Sequence, residues 1–576
     1  MLSTKLLTAA ANRSRLLRTI REYAFALGAT LTDSGTDATD ATNTGVTFAN
    51  GVATFDGSSY LTLPNAGDLT YFGRDLWSVG VRLKFERLVV DSLDEVEFLF
   101  GCANDGRTTL AQVTLNATHN GSVESLSAGK LCVVTRTDGG SIHYTNTVDA
   151  VFSAGEPFDL RVDYRHIDRR CDIYVNGVAV TTTGGNGTDG TFSNLTYPLM
   201  LGTWNNRGTP HAKMLNGSLD RVRIGYSHRL ITTSTPFESG TGYNTYRIPA
   251  LVRTGEGTLL AVCEGRATVS DDGDINLVLR RSTDNGATWL AQQVLAGDSD
   301  TNNWRDPTLI VDGARIHLIC CWRHGNDSEA EIKAGTGVDT QRVYHLYSDD
   351  DGVTWTSPNE ITTSVKGATE RYISTGPGHG IKLAQGVYAG RLVVVGNVTD
   401  PDTFGDSLAR SMCFYSDDNG VTWQRGGTVA TANGTEAQVF EVADGTLVMN
   451  IRDQGTSNRR IVAASADGGS TWSAAAQDTV LVDPKVQGSI YRFSDSKIVF
   501  ANPALSTSRD NMVLRIGAYD VNKSGEVNWQ QSIPIYRGKS AYSDLCAIGT
   551  DVGLLFEKGS TSQYEAIEFR RYAVCA

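Results

Sequence analysis

An eight-residue sequence that occurs four times in the C-terminal part of the chain places the strongest limit on its fold. The copies share the pattern Ser-x-Asp-x-Gly-x-Thr-Trp and occupy residues 282–289, 348–355, 416–423 and 465–472. Near-identical copies at such intervals indicate that one supersecondary unit is repeated, as in propellers and solenoids. Such a chain builds its core by packing similar units against their neighbours.

The residue types in each copy are those of a tight hairpin turn. Gly takes the positive φ that the turn requires, and the Asp carboxylate accepts hydrogen bonds from turn amides. The Trp is expected to fill the gap between adjacent sheets. We therefore assign four carboxylates to structure rather than to chemistry: Asp284, Asp350, Asp418 and Asp467. Residues 236–576 suffice for six four-stranded blades of about 57 residues each, so the sequence predicts an all-β fold with a six-bladed β-propeller.

Composition excludes some functions. The 576 residues include 51 Lys and Arg against 64 Asp and Glu, a net charge of -13. A nucleic-acid partner is therefore not expected, because such binding needs a basic surface. An anionic sugar is not excluded, since a pocket can be locally positive. The nine Cys show no zinc spacing and are expected to be mostly buried thiols, so no metal or cofactor is predicted. No segment is apolar enough to span a bilayer.

Residues 31–232 are predicted to form a β-sandwich before the propeller of residues 233–576. Short runs alternate polar and apolar residues between turn residues. The order of Phe-Asp-Gly-Ser-Ser-Tyr-Leu at 55–61 and Gly-Ser-Leu-Asp-Arg-Val-Arg-Ile at 217–224 resembles laminin-G and concanavalin-like domains. That resemblance implies a jelly roll, which serves either as a carbohydrate-binding module or as a spacer.

Residues 1–30 are predicted to form a short amphipathic helix. Among Arg13, Arg15 and Arg18, four apolar residues recur at helical spacing: Leu16, Leu17, Ile20 and Tyr23. The apolar stretch after Lys5 is about six residues long, which is short for a secretion signal. The helix is expected either to pack on its own domain or to mediate homo-oligomerisation or docking onto a larger assembly, such as a virion.

Five segments outside the octamers resemble the motifs of sialidases. They are Tyr-Arg-Ile-Pro at 246–249, the stretch from Glu436 to Asn-Ile-Arg at 450–452, the stretch from Asn-Pro at 502 to Arg-Asp-Asn at 509–511, Ser-Ala-Tyr-Ser-Asp-Leu at 540–545, and Phe-Glu-Lys at 556–558. The segments occur in the family order and cover residues 236–576. The resemblance implies a propeller enzyme that removes terminal sialic acid from glycans.

The resemblance assigns roles to residues in these segments. Three arginines are implied to grip the substrate carboxylate: Arg247, Arg452 and Arg509, with Arg515 as the alternative to Arg509. Tyr542 is implied as the nucleophile with Glu436 as its base, and Glu557 as the residue that orients Arg247. Bidentate Arg–carboxylate pairing holds a carboxylate in one pose, which gives the arginine set a physical reason.

The acid/base residue is expected in the loop after Arg266. Three residues compete for this role: Asp271, Asp272 and Asp274. The position of the following apolar strand favours Asp271, whereas the distance from Arg247 also allows Asp272. By the same resemblance, Arg266 contacts the sugar hydroxyls, and Asp306 contacts the sugar near its 4-hydroxyl and N-acyl groups.

A tyrosine nucleophile suits a sugar that carries a carboxylate on its anomeric carbon. That carboxylate would repel an anionic nucleophile, whereas a neutral phenol avoids the repulsion. A phenol with an ordinary pKa of about 10 is a weak nucleophile and needs a base. We expect Glu436 to be that base and the neighbouring arginines to favour the phenolate.

The sequence departs from the family pattern at Val395-Gly396, where a Pro usually follows the motif Gly-Arg-Leu-Val-Val. This departure is expected to change a loop at the rim of the site. His379, in the same region, is expected to be a rim or structural residue, because the mechanism has no step for it.

The implied function is that of a retaining exo-sialidase acting on sialylated glycoproteins, glycolipids and oligosaccharides. No metal is required, because the arginines supply the electrostatic stabilisation. Two alternatives stay open: a trans-sialidase, including an intramolecular one, and a non-catalytic glycan-binding or virion-adhesion protein. For location the sequence leaves three expectations, namely a phage virion, release by lysis, or the cytoplasm.

Overall fold

A computed structural model of the chain divides into two compact units. The first comprises Met1–Arg229 and Ala573–Ala576, and the second comprises Leu230–Tyr572. The residues whose structure is described are 19–24, 42–44, 46–49, 52–63, 81–92, 97–103, 110–119, 124–136, 142–165, 170–185, 199–201, 205–206, 209–210, 215–219, 221–226, 228–297, 301–406, 408–495, 497–519 and 527–574.

The N-terminal unit is built from two mainly antiparallel sheets. Its strands are β1 (Thr19–Ala24), β2 (Thr42–Thr44), β3 (Thr47–Ala49), β4 (Val52–Asp56), β5 (Tyr60–Leu63), β6 (Val81–Val90), β7 (Glu97–Ala103), β8 (Leu110–His119), β9 (Glu124–Arg136), β10 (Ile142–Thr147), β11 (Phe158–Arg165), β12 (Arg170–Val175), β13 (Val178–Ala179), β14 (Thr182–Gly185), β15 (Leu199–Leu201), β16 (Asn205–Asn206), β17 (Thr209–Pro210), β18 (Asn216–Leu219) and β19 (Arg221–Tyr226). One sheet has the order β13-β12-β11-β6-β18-β4-β3, joined by β19 and β1. The other has the order β14-β10-β9-β8-β7-β15-β5-β2, joined by β16 and β17.

Apolar side chains from both sheets share one core. Phe55 and Phe85 of the first sheet are buried in the same cluster as Leu115 and Leu131 of the second. In β4, Ala53 and Phe55 are buried while the residues that follow each of them are exposed. This period of two is that of a strand with one covered face. The all-β sandwich that the alternation predicts is therefore present.

The helix predicted for residues 1–30 is wrong where the structure describes that segment. Thr19–Ala24 is a strand that pairs antiparallel with β19, with Glu22 opposite Arg223. Residues 1–18 and 25–30 lie outside the described residues. Thr, Ile and Tyr favour extended backbone, and pairing with a sheet satisfies backbone groups that the ends of a short helix leave open. In so short a segment, the helical spacing of apolar residues does not distinguish a helix from a strand.

The second unit is also built from β-strands. Its strands are β20 (His228–Glu238), β21 (Thr245–Arg253), β22 (Leu259–Arg266), β23 (Ile275–Ser282), β24 (Gln293–Ala296), β25 (Asn303–Asp312), β26 (Arg315–Arg323), β27 (Arg342–Ser348), β28 (Asn359–Glu360), β29 (Tyr372–Thr375), β30 (Gly378–His379), β31 (Ile381–Lys382), β32 (Leu392–Thr399), β33 (Arg410–Ser416), β34 (Gln424–Thr428), β35 (Gly434–Glu441), β36 (Leu447–Asp453), β37 (Arg459–Ser465), β38 (Ala476–Val482), β39 (Ser489–Ser494), β40 (Lys497–Pro503), β41 (Asp510–Tyr519), β42 (Val527–Ile548), β43 (Asp551–Gly559) and β44 (Ala566–Val574). Short helical segments lie between them: α1 (Glu329–Ala334), α2 (Thr362–Val365), a 3₁₀ turn (Gly386–Tyr388) and α3 (Pro401–Phe404). Among the described residues, no helix has the length and apolar character that a bilayer crossing needs.

Consecutive antiparallel strands of this unit fall into six groups. The groups are β21–β24, β25–β28, β29–β34, β35–β38, β39 to the first part of β42, and the second part of β42 with β43, β44 and β20. Two pairings depart from this arrangement: the short β30 pairs in parallel with β25, and one parallel residue pair between β23 and β25 joins the first two groups into one sheet. Six successive groups of about four strands are consistent with the six predicted blades.

Strand β42 serves two groups, and β20 completes the last one. The first part of β42 pairs with β41, and from Lys539 onward the strand pairs with β43. β20 precedes every other strand of the unit, yet it pairs with β44 at the end of the chain. A strand from the start of the unit therefore closes the sixth group.

The repeated octamers form the turns that their residue types predict. In the first copy, Asp284 Oδ1 accepts from the Thr288 N–H at 2.9 Å, and Oδ2 accepts from the Thr288 hydroxyl at 2.6 Å. Gly286 has a φ of 87°, and a Cβ there would lie 2.0 Å from the ring of Phe569. The same two hydrogen bonds recur in the other copies, at Asp350, Asp418 and Asp467. These carboxylates are thus used within their own turns.

A pair of buried histidines joins β26 and β27. His317 Nδ1 lies 2.9 Å from His345 Nε2, and both side chains are buried. Burial lowers the pKa of His317 to about 4. Burial, together with His317 and Arg315, lowers the pKa of His345 to about 3. Both imidazoles are therefore neutral in the folded protein at neutral pH.

We expect this pair to destabilise the fold as the pH falls. In the unfolded chain the histidines bind protons below about pH 6.5, whereas His317 in the folded chain stays neutral down to about pH 4. The unfolded state therefore binds more protons in this window, and His317 alone lowers the free energy of unfolding by about 3 kcal/mol between pH 7 and pH 4. Urea unfolding at the two pH values measures this decrease. This decrease should be smaller in His317→Gln than in wild type. In the control His324→Gln, whose side chain is half-buried, the decrease should equal that of wild type. Equal decreases in all three proteins would contradict the expectation.

Candidate active site

Four predicted site residues lie near the beginning of the first strand of their group, where the pairing register with the next strand is interrupted. Arg247 is in β21, Asp306 in β25, Glu436 in β35, and Tyr542 in the second part of β42. The register shifts lie between Arg247 and Ala250, Arg305 and Thr308, Gly434 and Ala437, and Ser540 and Ser543. A bulge bends a strand and redirects a side chain. The sequence motifs thus coincide with four bulges.

A buried carboxylate holds the first of these bulges. Ile248 is β-branched, yet its φ is 57°, a conformation that such residues rarely adopt. Glu557 Oε1 accepts from the Ile248 N–H at 2.8 Å and from Arg247 Nε at 3.2 Å. Glu557 Oε2 accepts from the Tyr542 N–H at 3.1 Å. Glu557 is fully buried and therefore fixes both the arginine and the backbone of the tyrosine.

Tyr542, Glu436 and Arg452 form one hydrogen-bonded group. The Tyr542 hydroxyl makes a short hydrogen bond to Glu436 Oε1, and Arg452 Nη1 lies 3.0 Å from the phenolic oxygen. Arg452 also forms an ion pair with Glu436. Burial, followed by the charge of Glu436, raises the pKa of Tyr542 well above its ordinary value, although Arg452 and Arg247 lower it. The arginines thus favour the phenolate, as expected, but burial and Glu436 outweigh them, so the phenol stays neutral.

Arg509 lies beside this group, and Arg515 does not. Arg509 Nη2 donates to the Lys485 carbonyl at 2.9 Å, and its Nη1 lies 3.4 Å from the hydroxyl oxygen of Tyr564. The Tyr564 ring also covers Arg247, with 4.2 Å between the guanidinium carbon and the ring centroid. Arg515 instead donates to Asn502 at 3.2 Å. Of the two candidates, Arg509 is the one that shares a neighbour with Arg247.

Two of these arginines have a buried N–H group for which no described residue is the hydrogen-bond acceptor. The donors are Arg247 Nη2 and Arg452 Nε. Burial opposes the charge of Arg247, but the carboxylate of Glu557 raises the pKa of its guanidinium above the ordinary value. Both guanidinium groups are therefore charged, and each still has hydrogen-bonding capacity in a buried position.

Asp271 lies against Arg247 and Arg266. Its Oδ1 accepts from Arg266 Nη1 at 2.7 Å and from Arg247 Nη1 at 3.2 Å, and its side chain is 64% exposed. Desolvation in the cleft raises the pKa of Asp271, but Arg266 and Arg247 outweigh it and hold this pKa well below its usual range. Arg266 is fully buried and donates from Nε to Glu264 at 2.8 Å. The Asp271 carboxylate is thus ionised and accessible.

The other two candidate acids of this loop have different partners. Asp272 Oδ1 accepts from Arg323 Nη2 at 2.7 Å. Asp274 Oδ1 lies 3.4 Å from the Asn276 amide nitrogen. Among the three, Asp271 is the carboxylate that contacts Arg247. This is the residue that the position of the following strand favours in the sequence.

Asp306 is buried beneath this loop. Its Oδ2 accepts from the Ser374 hydroxyl at 2.6 Å and from Arg305 Nε at 3.2 Å, and its N–H donates to Glu264 at 2.9 Å. Burial, with the charges of Glu264 and Glu436, raises the pKa of Asp306 to about 6, although Arg305 lowers it. This residue can therefore exist in either protonation state under mildly acidic conditions.

His379 and Val395-Gly396 belong to the strands of the scaffold. His379 Nδ1 is 2.7 Å from Asp544 in a buried network. Val395 and Gly396 lie within β32 and pair with Cys413 and Met412 of β33. The expectation of a changed rim loop is wrong, because residues that keep their N–H groups continue a strand whose ladder a Pro would interrupt.

Four residues of the site were not singled out from the sequence: Glu264, Arg305, Arg323 and Tyr564. Glu264 precedes Arg266 by two positions, so the period of a strand places both on one face, and this signal was available. Arg305 precedes Asp306 directly. Arg323 and Tyr564 carry no local motif, because long-range packing brings them to the site.

The described residues contain no group of three or more His, Cys, Asp and Glu side chains arranged to hold a metal ion. The site instead combines carboxylates with the phenols of Tyr542 and Tyr564 and with six guanidinium groups, those of Arg247, Arg266, Arg305, Arg323, Arg452 and Arg509. Arginines of this kind suit an anionic ligand, and a phenol beside a carboxylate, with a second, exposed carboxylate nearby, is an arrangement that nucleophilic and acid/base catalysis can use.

Comparison with known proteins gives concordant matches. Residues 246–554 match the family of BNR repeat-like domains. The sialidase of Micromonospora viridifaciens is 34% identical over 348 residues, which are 56% of this chain and 51% of that protein. The exo-alpha-sialidase of Arthroderma benhamiae is 30% identical over 303 residues, which are 49% of this chain and 69% of that protein. The chain thus spans about half the length of the Micromonospora protein.

The solved structure of a Hadza microbial sialidase, Hz136, has a similar fold. The TM-score is 0.53 at 21% identity, and the match covers 96% of this chain and 98% of that one. At this identity the similarity concerns the fold alone.

Proposed function

We propose, because this chain belongs to the exo-sialidase family of BNR-repeat proteins, that it removes terminal α-linked sialic acids from glycans by hydrolysis with retention of configuration. The expected substrates are sialylated glycoproteins, glycolipids and oligosaccharides. The proposal concerns the second unit, because every site residue lies between Leu230 and Tyr572.

The main support for the proposal is that Arg247 and Arg452 each have a buried N–H group without an acceptor among the described residues. A buried polar group without a partner costs about 1–3 kcal/mol, and more when it is charged. A carboxylate that accepts from both arginines removes this cost, and Arg509 adds a third positive group nearby. Sialic acid has such a carboxylate on the carbon at which hydrolysis occurs. Binding through that group therefore brings the reacting carbon to the phenol and the acids of the site.

The first chemical step forms a covalent intermediate. Tyr542 Oη bonds to the anomeric carbon while its proton passes to Glu436. The bond between the anomeric carbon and the glycosidic oxygen breaks, and Asp271 donates a proton to that oxygen. In the second step Asp271 takes a proton from water, the water oxygen attacks the anomeric carbon, and Tyr542 leaves and recovers its proton from Glu436. Two displacements at one carbon give retention.

The pKa values of the site fit these roles once substrate is bound. The raised pKa of Tyr542 keeps the phenol neutral, so attack requires Glu436 as a base. The pKa of Asp271 is low because Arg266 and Arg247 contact it. A substrate carboxylate on Arg247 weakens one of these contacts and therefore raises the pKa of Asp271 towards the protonated form that a general acid needs.

Proton NMR of the products formed from an α-linked sialyl oligosaccharide tests the proposal. We expect free sialic acid to appear first as the α-anomer and then to convert to the β-anomer. Direct appearance of the β-anomer would contradict retention, an anhydro product would identify an intramolecular trans-sialidase, and transfer to an added acceptor sugar would identify a trans-sialidase. If the protein binds the oligosaccharide but forms no product between about pH 4 and pH 8, the enzyme proposal fails and the protein is a non-catalytic glycan-binding protein.

A further inference from the structure

We infer that Asp272 and Arg323 form a clamp that positions Asp271 for proton donation to the leaving group. The inference rests on the proposed function. Asp272 and Arg323 are positioning residues, because neither needs to touch the substrate for the clamp to act. The name "clamp" refers below to this pair alone.

The loop that carries Asp271 depends on contacts from outside itself. It connects β22 to β23, and residues 267–272 are exposed. Its own hydrogen bonds include one at its base, from the Ala267 N–H to the Asp274 carbonyl at 3.0 Å, and two further out, from the Ser270 N–H to Thr268 and from the Asp272 N–H to Ser270, at 3.2 and 3.1 Å. An exposed loop with so few internal bonds is expected to fluctuate unless the scaffold holds it.

Three buried arginines hold the backbone of this loop. Arg266 Nη1 donates to the Ser270 carbonyl at 3.1 Å, and Arg305 Nη1 donates to the Asp271 carbonyl at 3.3 Å. Arg323 Nη2 donates to the same Asp271 carbonyl. Because Arg323 ends β26 and is only 1% exposed, its guanidinium has a fixed position from which to act.

The Asp272 carboxylate stabilises the hydrogen bond from Arg323 to the Asp271 carbonyl. Burial and the neighbouring positive charge of Arg305 lower the pKa of Arg323, which shows that its surroundings oppose the charge. Asp272 Oδ1, at 2.7 Å from Arg323 Nη2, supplies the opposite charge. The same nitrogen thus joins the carbonyl of Asp271 and the carboxylate of Asp272. Loss of the Asp272 charge weakens the hold on the residue that donates the proton.

The clamp is expected to affect proton donation more than stability. The Asp272 side chain is 54% exposed, so water screens its charge, and the pair is expected to contribute less to the free energy of unfolding than a fully buried pair. A displacement of about 1 Å at a catalytic group, by contrast, can cost a hundredfold in rate. A sugar leaving group needs the proton, because its alkoxide is a strong base, whereas an aryl leaving group departs as a weakly basic phenolate.

Two substrates that differ in the leaving group test the inference. We expect Asp272→Asn to lower kcat/KM for 3′-sialyllactose about tenfold and to change kcat/KM for an aryl α-sialoside by less than about twofold. Arg323→Lys should show the same selectivity. The matched control is Asp349→Asn, because Asp349 is 55% exposed and also accepts from an arginine, Arg315, at 2.7 Å. It should leave both substrates unaffected, and the thermal midpoints of both Asn variants should stay within about 2 °C of wild type.

Each other outcome overturns a specific statement. Equal losses on both substrates in Asp272→Asn, or no loss on either, would overturn the clamp. If Arg323→Lys does not fold, Asp272→Asn alone decides, because its exposed side chain leaves the fold intact. A wild-type protein that turns over neither substrate would overturn the proposed function instead.

Discussion

Replacing Tyr542 by Phe is expected to lower kcat for an aryl α-sialoside by about 10³-fold. In the proposed mechanism the phenolic oxygen bonds to the anomeric carbon, and Glu436 and Arg452 are arranged around this oxygen. Without that oxygen, the Glu436–Arg452 ion pair persists, so both charges stay compensated. The loss should therefore appear in kcat and in the formation of the covalent intermediate, while KM and the thermal midpoint change little. Stopped-flow and steady-state fluorescence with the same substrate measure these quantities.

The control for this substitution lies on the same strand. The Tyr536 hydroxyl donates to the Gly559 carbonyl at 3.0 Å and makes no hydrogen bond to Arg247, Arg452 or Arg509 among the described residues. Tyr536→Phe should keep kcat within about twofold of wild type. A Tyr542→Phe protein with the kcat of Tyr536→Phe would exclude Tyr542 as the nucleophile.

Replacing Glu557 by Gln is expected to reduce both stability and substrate binding. Glu557 is fully buried and accepts from Arg247, from the strained Ile248 N–H and from the Tyr542 N–H. Removing one partner of a buried ion pair leaves a charge without compensation and costs about 3 kcal/mol or more. The amide also presents a donor to groups that themselves donate. We expect a lower free energy of unfolding in urea, together with an increase of about tenfold in KM, because Arg247 loses its fixed position.

A second buried carboxylate separates these two effects. Glu568 in β44 accepts from Lys558 and Arg570, and it does not contact the arginines of the site. Glu568→Gln should also lower the free energy of unfolding but should leave KM unchanged. If both variants raise KM equally, the effect of Glu557→Gln comes from general destabilisation rather than from the position of Arg247.

The sequence predicts the repeated sheets and most of the site, but for different reasons. The octamers act locally, so their turns follow from residue types alone. The site motifs bring together Arg247, Asp271, Glu436 and Tyr542, although no spacing in the chain reveals the bulges that aim these residues. The assignment of roles to them stays a prediction that the substitutions above test.

Other features depend on packing and were out of reach of the sequence. Arg323 acts on the Asp271 loop from a distant strand, and the pKa of Tyr542 depends on burial that the sequence does not reveal. β42 contributes to two groups of strands without a break, so the sequence pattern does not mark where one blade ends. At Thr19–Ala24 a tertiary pairing overrode a helical pattern.

The pairing of β20 with β44 has a consequence for synthesis on the ribosome. About 330 residues separate the two strands, and translation at about 5–20 residues per second takes about 15–65 s to cover them. During that time β20 has no partner in its own sheet, and an unpaired strand is a template for pairing with another chain. Pro236, within β20, limits this hazard because it offers no N–H to such a partner. The strand of this unit that leaves the ribosome first is thus among the last to find its place.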